Sequence, residues 1–114
     1  MRIGLKFPDA IPNNEALPKE FLQGMLDRRA MSFYKYGSAH SSKFDFLRDI
    51  PTRIAKYKST GNTEWLIDVA VYAALEFMNP SVEDAHFRPT DSRESPGSYR
   101  KGELNPSQRH ERDI

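Results

Sequence analysis

The chain contains no cysteine. Disulfides, thiolate nucleophiles and cysteine-ligated zinc are thereby excluded, and such a chain suits a reducing compartment. Histidine is scarce: His40, His86 and His110 are the only three, and none stands at ligand spacing from another. Glycine is sparse too, with six in 114 residues, and neither a glycine-rich phosphate loop nor a nucleophile elbow is present. No sign of charge dominates. The formal net charge is +1, so no global field draws the chain to nucleic acid or to an anionic membrane. Long hydrophobic runs are missing as well. The most apolar stretch, EWLIDVAVYAALEFM at 64–78, is too short and too charged to span a bilayer. The start, MRIGLKFPDAIP, lacks the apolar centre of a signal peptide. These absences predict a cytoplasmic, single-domain protein with neither a membrane nor a DNA partner.

What is present is helical. Residues 1–14 hold Pro8, Pro12 and Asn13–Asn14 and read as an extended arm ending in a helix cap. Residues 15–36 predict a first helix, with Pro18 in its first turn and Gly37 as its stop. Residues 43–59 predict a second, interrupted or restarted at Pro51. Gly61 ends that helix, Asn62 or Thr63 caps the next, and the third runs to Met78 before Asn79–Pro80. No strand alternation and no internal repeat is evident. The expected fold is all-α: a helical hairpin or small bundle of about three helices with an extended N-terminal arm. Residues 1–79 form the helical domain, and 80–114, charged and rich in proline and serine, form a long polar tail that crosses a neighbour.

Helical wheels sharpen this. On the first helix Phe21, Leu22, Met25, Leu26, Phe33 and Tyr36 share a face, with Arg29 in its middle. On the second, Phe44, Phe46, Leu47, Ile50, Ile54 and Tyr57 do. The third has two apolar stripes, one through Leu66, Val69, Ala70, Ala73 and Phe77 and one through Ile67, Val71, Ala74 and Met78. A helix apolar nearly all round belongs at the centre of an assembly, which predicts a homo-oligomer. Its one polar sector carries Glu64, Asp68, Tyr72 and Glu76, four residues apart. Charged helical stripes usually face solvent or pair with cations, and Arg29 is the expected partner. A pair of carboxylates at i and i+4 also suits Mg²⁺, provided a facing helix supplies more, and there only Glu20 and Asp27 are on offer. A third chemistry lies in the cations Arg28, Arg29, Lys35, Lys43, Arg48, Arg53 and Lys56, interleaved with Tyr34, Tyr36 and Tyr57. Guanidinium forks hold phosphate and tyrosines stack on bases, so these residues point to a nucleotide.

RRAMSFYKYG (28–37), GNTEWLIDVAVYAALEFM (61–78) and HFRPTDSRESPG (86–97) resemble small phage-encoded MazG-like proteins. These belong to the all-α nucleoside-triphosphate pyrophosphatase group and its nucleotide-modification-associated relatives, and the resemblance spans roughly residues 17–96. Catalytic members carry Glu-Glu-x-x-Glu on one helix and Glu-x-x-Asp on another. Here the first pattern is absent, the second is approached only by Glu64 and Asp68 with one extra residue between them, and Val71 stands where relatives often place asparagine. The resemblance therefore implies a phage protein that sequesters a nucleotide or nucleotide signal without hydrolysis and with no cofactor, in an anti-defence or host-takeover role. Arg28, Arg29, Lys35, Arg53 and Lys56 would take phosphates, Tyr36 and Tyr57 the base, and Glu64 and Asp68 would orient the arginines. The alternative is an Mg²⁺-dependent nucleotide pyrophosphohydrolase with Glu20, Asp27, Glu64 and Asp68 as ligands. A second alternative is an inhibitor that binds a host protein through the tail.

Overall fold

The computed structural model describes residues 11–12, 17–39 and 43–103. Three helices account for its regular structure: α1, Lys19–Tyr36; α2, Phe46–Thr60; and α3, Glu64–Met78. No strand occurs among the described residues, so the chain is all-α as expected. The expected N-terminal arm falls largely outside the described residues, as does the Asn13–Asn14 cap.

Local chemistry sets each boundary. α1 starts one residue after Pro18, whose carbonyl accepts the Phe21 and Leu22 N–H groups at 3.1 and 3.2 Å. The helix therefore begins later than residue 15, and Pro18 stands just outside it rather than in the first turn. Glu20 at its start and Lys35 at its end both complement the helix dipole. α2 is capped by the Asp45 carboxylate, which accepts the Arg48 N–H at 3.3 Å. It runs unbroken through Pro51 to Thr60. A proline there removes one helical hydrogen bond, the one its own nitrogen would have made to the Leu47 carbonyl. Leu47 and Pro51 are both exposed, so water can serve that carbonyl. Gly61 closes α2 in the left-handed region, φ 71° and ψ 6°, where a Cβ would be strained, and its N–H reaches the Tyr57 carbonyl at 2.8 Å. At the start of α3 the Asn62 side chain accepts the Glu64 N–H at 3.1 Å, so Asn62 rather than Thr63 supplies the capping oxygen. At its end Glu76 reaches forward to the Ser81 backbone N–H at 2.6 Å and to its hydroxyl at 3.0 Å.

The chain divides into two compact units, Met1–Glu83 and Asp84–Ile114. In the first, α3 is the central element. α1 and α2 each pack against it, with hardly any contact between themselves. α1 approaches α3 closely at Gly24, where an added Cβ would lie 2.6 Å from Ile67 Cδ1. The buried line of α3 is Asp68, Val71 and Leu75. It runs along the border where the stripe through Val71 meets the polar sector at Asp68. α1 buries no residue fully; on its apolar stripe Phe21, Leu22 and Met25 are half-buried, whereas Leu26 and Phe33 are 65 % and 58 % exposed.

The second unit is organised by local bonds. Arg88 reaches both carboxylate oxygens of Glu94, at 3.0 Å through Nη1 and more closely through Nη2. The Asp91 carboxylate accepts the Arg93 and Glu94 N–H groups at 2.9 and 3.3 Å. The Arg88 guanidinium holds the Glu94 carboxyl below its ordinary pKa.

Candidate functional site

Because α1 and α2 sit on separate flanks of α3, a groove of about 890 Å³ opens between them. Its floor is Trp65, Asp68, Val71, Tyr72 and Leu75 of α3. One wall comes from α1 with Arg28, Arg29, Ser32, Lys35 and Tyr36. The other carries Phe46, Asp49 and Arg53 of α2, and the α1–α2 connection adds Lys43 and Phe44.

Asp68 is the groove's deepest charge, 5 % exposed. Burying a carboxylate is costly unless it is paired and hydrogen-bonded. Arg28 meets that need with a fork: Nε donates to Asp68 Oδ1 at 2.7 Å and Nη2 to Oδ2 at 3.1 Å. Its remaining nitrogen, Nη1, donates to Glu64 Oε1 at 3.0 Å. The Asp68 hydrogen bonds raise the Arg28 pKa above its ordinary value, and burial only partly opposes them. The partner of the carboxylate ladder is thus Arg28, not the expected Arg29. Gly24 decides this. It marks the face of α1 that meets α3, and Arg28 lies one turn further along that face, whereas Arg29 is rotated about 100° away.

The other half of the ladder is aromatic. Tyr72 stacks on Phe46, ring centroids 5.4 Å apart and planes 17° apart. Arg53 lies over the Tyr72 ring, its guanidinium carbon 5.0 Å from the centroid. Arg53 Nη1 also donates to Asp49 at 3.4 Å and to the Thr52 hydroxyl at 2.9 Å. Its Nε is buried with no hydrogen-bond partner among the described residues. Burial pushes the Tyr72 phenol up, with the Arg53 charge opposing.

Of the residues expected to hold a nucleotide, Arg28, Arg29, Lys35, Tyr36, Arg53 and Asp68 line this one groove. Lys56, Tyr57 and Glu64 are not among its lining residues, although Glu64 reaches it indirectly through Arg28. The groove also holds Phe44, Phe46 and Trp65, which the sequence reading assigned to no site, and Lys43, which it left among the general cations. α2 starts at Phe46 rather than at residue 43, so Phe44, expected on that helix's apolar face, and Lys43 reach the groove from the connection ahead of it.

The four carboxylates considered for Mg²⁺ do not assemble. Among the described residues no three acidic or histidine side chains group as a metal site. Asp27 instead accepts a hydrogen bond from Gln23 Nε2 at 2.8 Å on its own helix. Both Asp68 oxygens are engaged by Arg28, so these residues do not fit the ion.

No protein-family model matches the chain, and no curated protein and no solved structure matches it. Among the described residues no helix is long and apolar enough to cross a membrane.

Proposed function

We propose that the protein binds a nucleotide in the groove between α1 and α2 and returns it unhydrolysed. One observation carries this reading: the groove gathers five cations, Arg28, Arg29, Lys35, Lys43 and Arg53, against two carboxylates, Asp49 and Asp68. The chain as a whole is nearly neutral, so this excess of three positive charges is local. The same walls carry aromatic rings, and a phosphate-bearing aromatic ligand answers both features. Arg53 Nε, a buried donor lacking an acceptor among the described residues, favours a ligand oxygen nearby. Retention without hydrolysis is supported by Arg28, which occupies the carboxylates that a metal would need. The likeness to MazG-like phage proteins points to the same ligand class, and sequestration of a nucleotide signal in an infected cell is the role we attach to it.

Self-association is part of this reading. The buried apolar side chains among the described residues are Val71 and Leu75, a small core for a free-standing domain. A second copy would cover the apolar stripe of α1.

Incubation with a panel of nucleotides and Mg²⁺, followed by heat release and product analysis, tests the proposal. The expected result is saturable binding with the ligand recovered intact. Turnover that Glu64→Ala or Asp68→Ala abolishes without unfolding would replace this reading with the pyrophosphohydrolase, and no affinity for any nucleotide would reject both.

A further inference from the structure

The two arginines that carry ion pairs in the groove are not equally engaged. Arg28 uses all three of its nitrogens on Asp68 and Glu64, at 2.7, 3.0 and 3.1 Å. Arg53 uses one. Its Nη1 donates to the Thr52 hydroxyl at 2.9 Å and to Asp49 at 3.4 Å, the second longer than the usual N–H···O range. Nη2 makes no hydrogen bond to a described residue, and Nε is closed off from solvent without an acceptor among them. A buried donor left unmade costs free energy, so it calls for a reason.

The open edge is the one suited to oxyanions. Nε and Nη2 together form a side of the guanidinium that takes two oxygens at once. Arg28 uses that side on Asp68, Nε on one oxygen and Nη2 on the other. Arg53 carries the same edge on the α2 wall of the same groove. It rests there over Tyr72, 5.0 Å from the ring centroid, a contact that needs neither nitrogen of the edge. Its side chain is 30 % exposed, so the guanidinium has a way out toward the groove.

We infer that Arg53 is the phosphate anchor of the groove: a phosphate group draws its guanidinium off the Tyr72 ring and takes the Nε–Nη2 edge with two oxygens. This rests on the nucleotide reading above and deepens it by naming the residue and the edge that hold the phosphate. The exchange gives the orphaned donor an acceptor and replaces a ring contact by charge-assisted hydrogen bonds, the stronger kind. Lys35 and Lys43 add charge to the groove, but an ammonium is a point charge and offers no such edge. Arg29 has the edge, yet the orphaned buried donor is on Arg53. The move also has a spectroscopic consequence. The charged neighbours of the Tyr72 phenol are Arg53 and Asp49 on α2, Asp68 on its own helix and Arg28 on α1, and the Arg53 charge opposes the burial that raises its pKa. With Arg53 engaged by phosphate that opposition weakens, so the phenol ionises at still higher pH.

Nitrogen-15 spectra of the full-length protein test this through the Arg53 Nε–H signal, assigned by its loss in Arg53→Lys. ATP and inorganic tripolyphosphate should each move the signal saturably, and adenosine should not. Tripolyphosphate should also delay the Tyr72 phenol in an absorbance titration. Arg53→Lys keeps the charge but not the edge, and it should weaken ATP and tripolyphosphate alike by about 10- to 150-fold, the range for one hydrogen bond to a charged group. Thermal melts check that this variant folds, and the wild-type signal decides the matter if it does not. If ATP binds while the signal stays in place, the anchor is wrong and the nucleotide reading survives. If tripolyphosphate moves the signal but no nucleotide binds, the anchor stands and the nucleotide reading falls. Adenosine moving the signal as far as ATP, or glutarate binding as tightly as tripolyphosphate, would overturn the phosphate assignment, and no binding of any of these would reject both.

Discussion

Replacing Arg28 by alanine should destabilise the helical unit by about 2–3 kcal/mol. Breaking a buried ion pair by removing one partner costs about 3–5 kcal/mol, because the other charge stays buried and uncompensated. Asp68 meets that condition with a side chain only 6 % exposed, held by a two-point fork. Arg28 does not meet it fully. Its side chain is 40 % exposed, so water screens the pair and the cost falls below the buried limit. Glu64, 57 % exposed, is solvated easily once released and adds little. Against a total stability near the low end of about 5–15 kcal/mol, the loss is large. In urea, with a slope of about 1.5 kcal/mol/M, it moves the midpoint down by about 1–2 M. Trp65 fluorescence is the suitable probe because Trp65 lies on α3, next to the pair. The double variant Arg28→Leu/Asp68→Leu should recover most of the loss, since an apolar pair of similar volume carries no desolvation penalty. A cost below about 0.5 kcal/mol for Arg28→Ala would mean that the pair behaves as a surface salt bridge, and the reasoning about the seam would be wrong. Failure of the double variant to recover stability would do the same.

Two further predictions concern the same unit. Gly24→Ala should change stability by less than about 1 kcal/mol, because the helix propensity gained offsets the displacement of Ile67 Cδ1, the movable end of its side chain, while Gly24→Leu should separate α1 from α3 and destabilise clearly in thermal melts. The Tyr72 phenol has its pKa raised by burial, so its contribution to stability is fully present below the ordinary value of about 10 and is lost as pH rises through the higher folded-state value; an absorbance titration should show one late-ionising phenol that disappears in Tyr72→Phe.

Much of the fold could be read from punctuation. Gly61 and Asn79–Pro80 bound α2 and α3 because their backbone chemistry is local, and local chemistry is visible in sequence. Pro51 misled for the same reason: a proline looks like a break, but one lost hydrogen bond on an exposed turn is tolerable. The ladder on α3 was legible as a paired seam, since a carboxylate on an apolar helix needs a cation. Which arginine supplies it was not. Arg28 and Arg29 are adjacent in sequence and about 100° apart on the helix, and only the close approach at Gly24 distinguishes them. The exposed stripe of α1 shows the same limit, because an apolar face announces that it needs a partner without naming one. Phe44 and Lys43 enter the groove through the course of a connection, and no residue pattern encodes that.

The most direct test of nucleotide binding in the groove is an amide chemical-shift titration of the isotope-labelled protein with ATP. Saturable shifts should cluster on Lys35, Tyr36, Lys43, Phe44 and Tyr72 and should spare Lys56 and Tyr57, which carry equally suitable chemistry but lie outside the groove lining. Absence of saturable shifts, or shifts centred on Lys56 and Tyr57, would contradict the account.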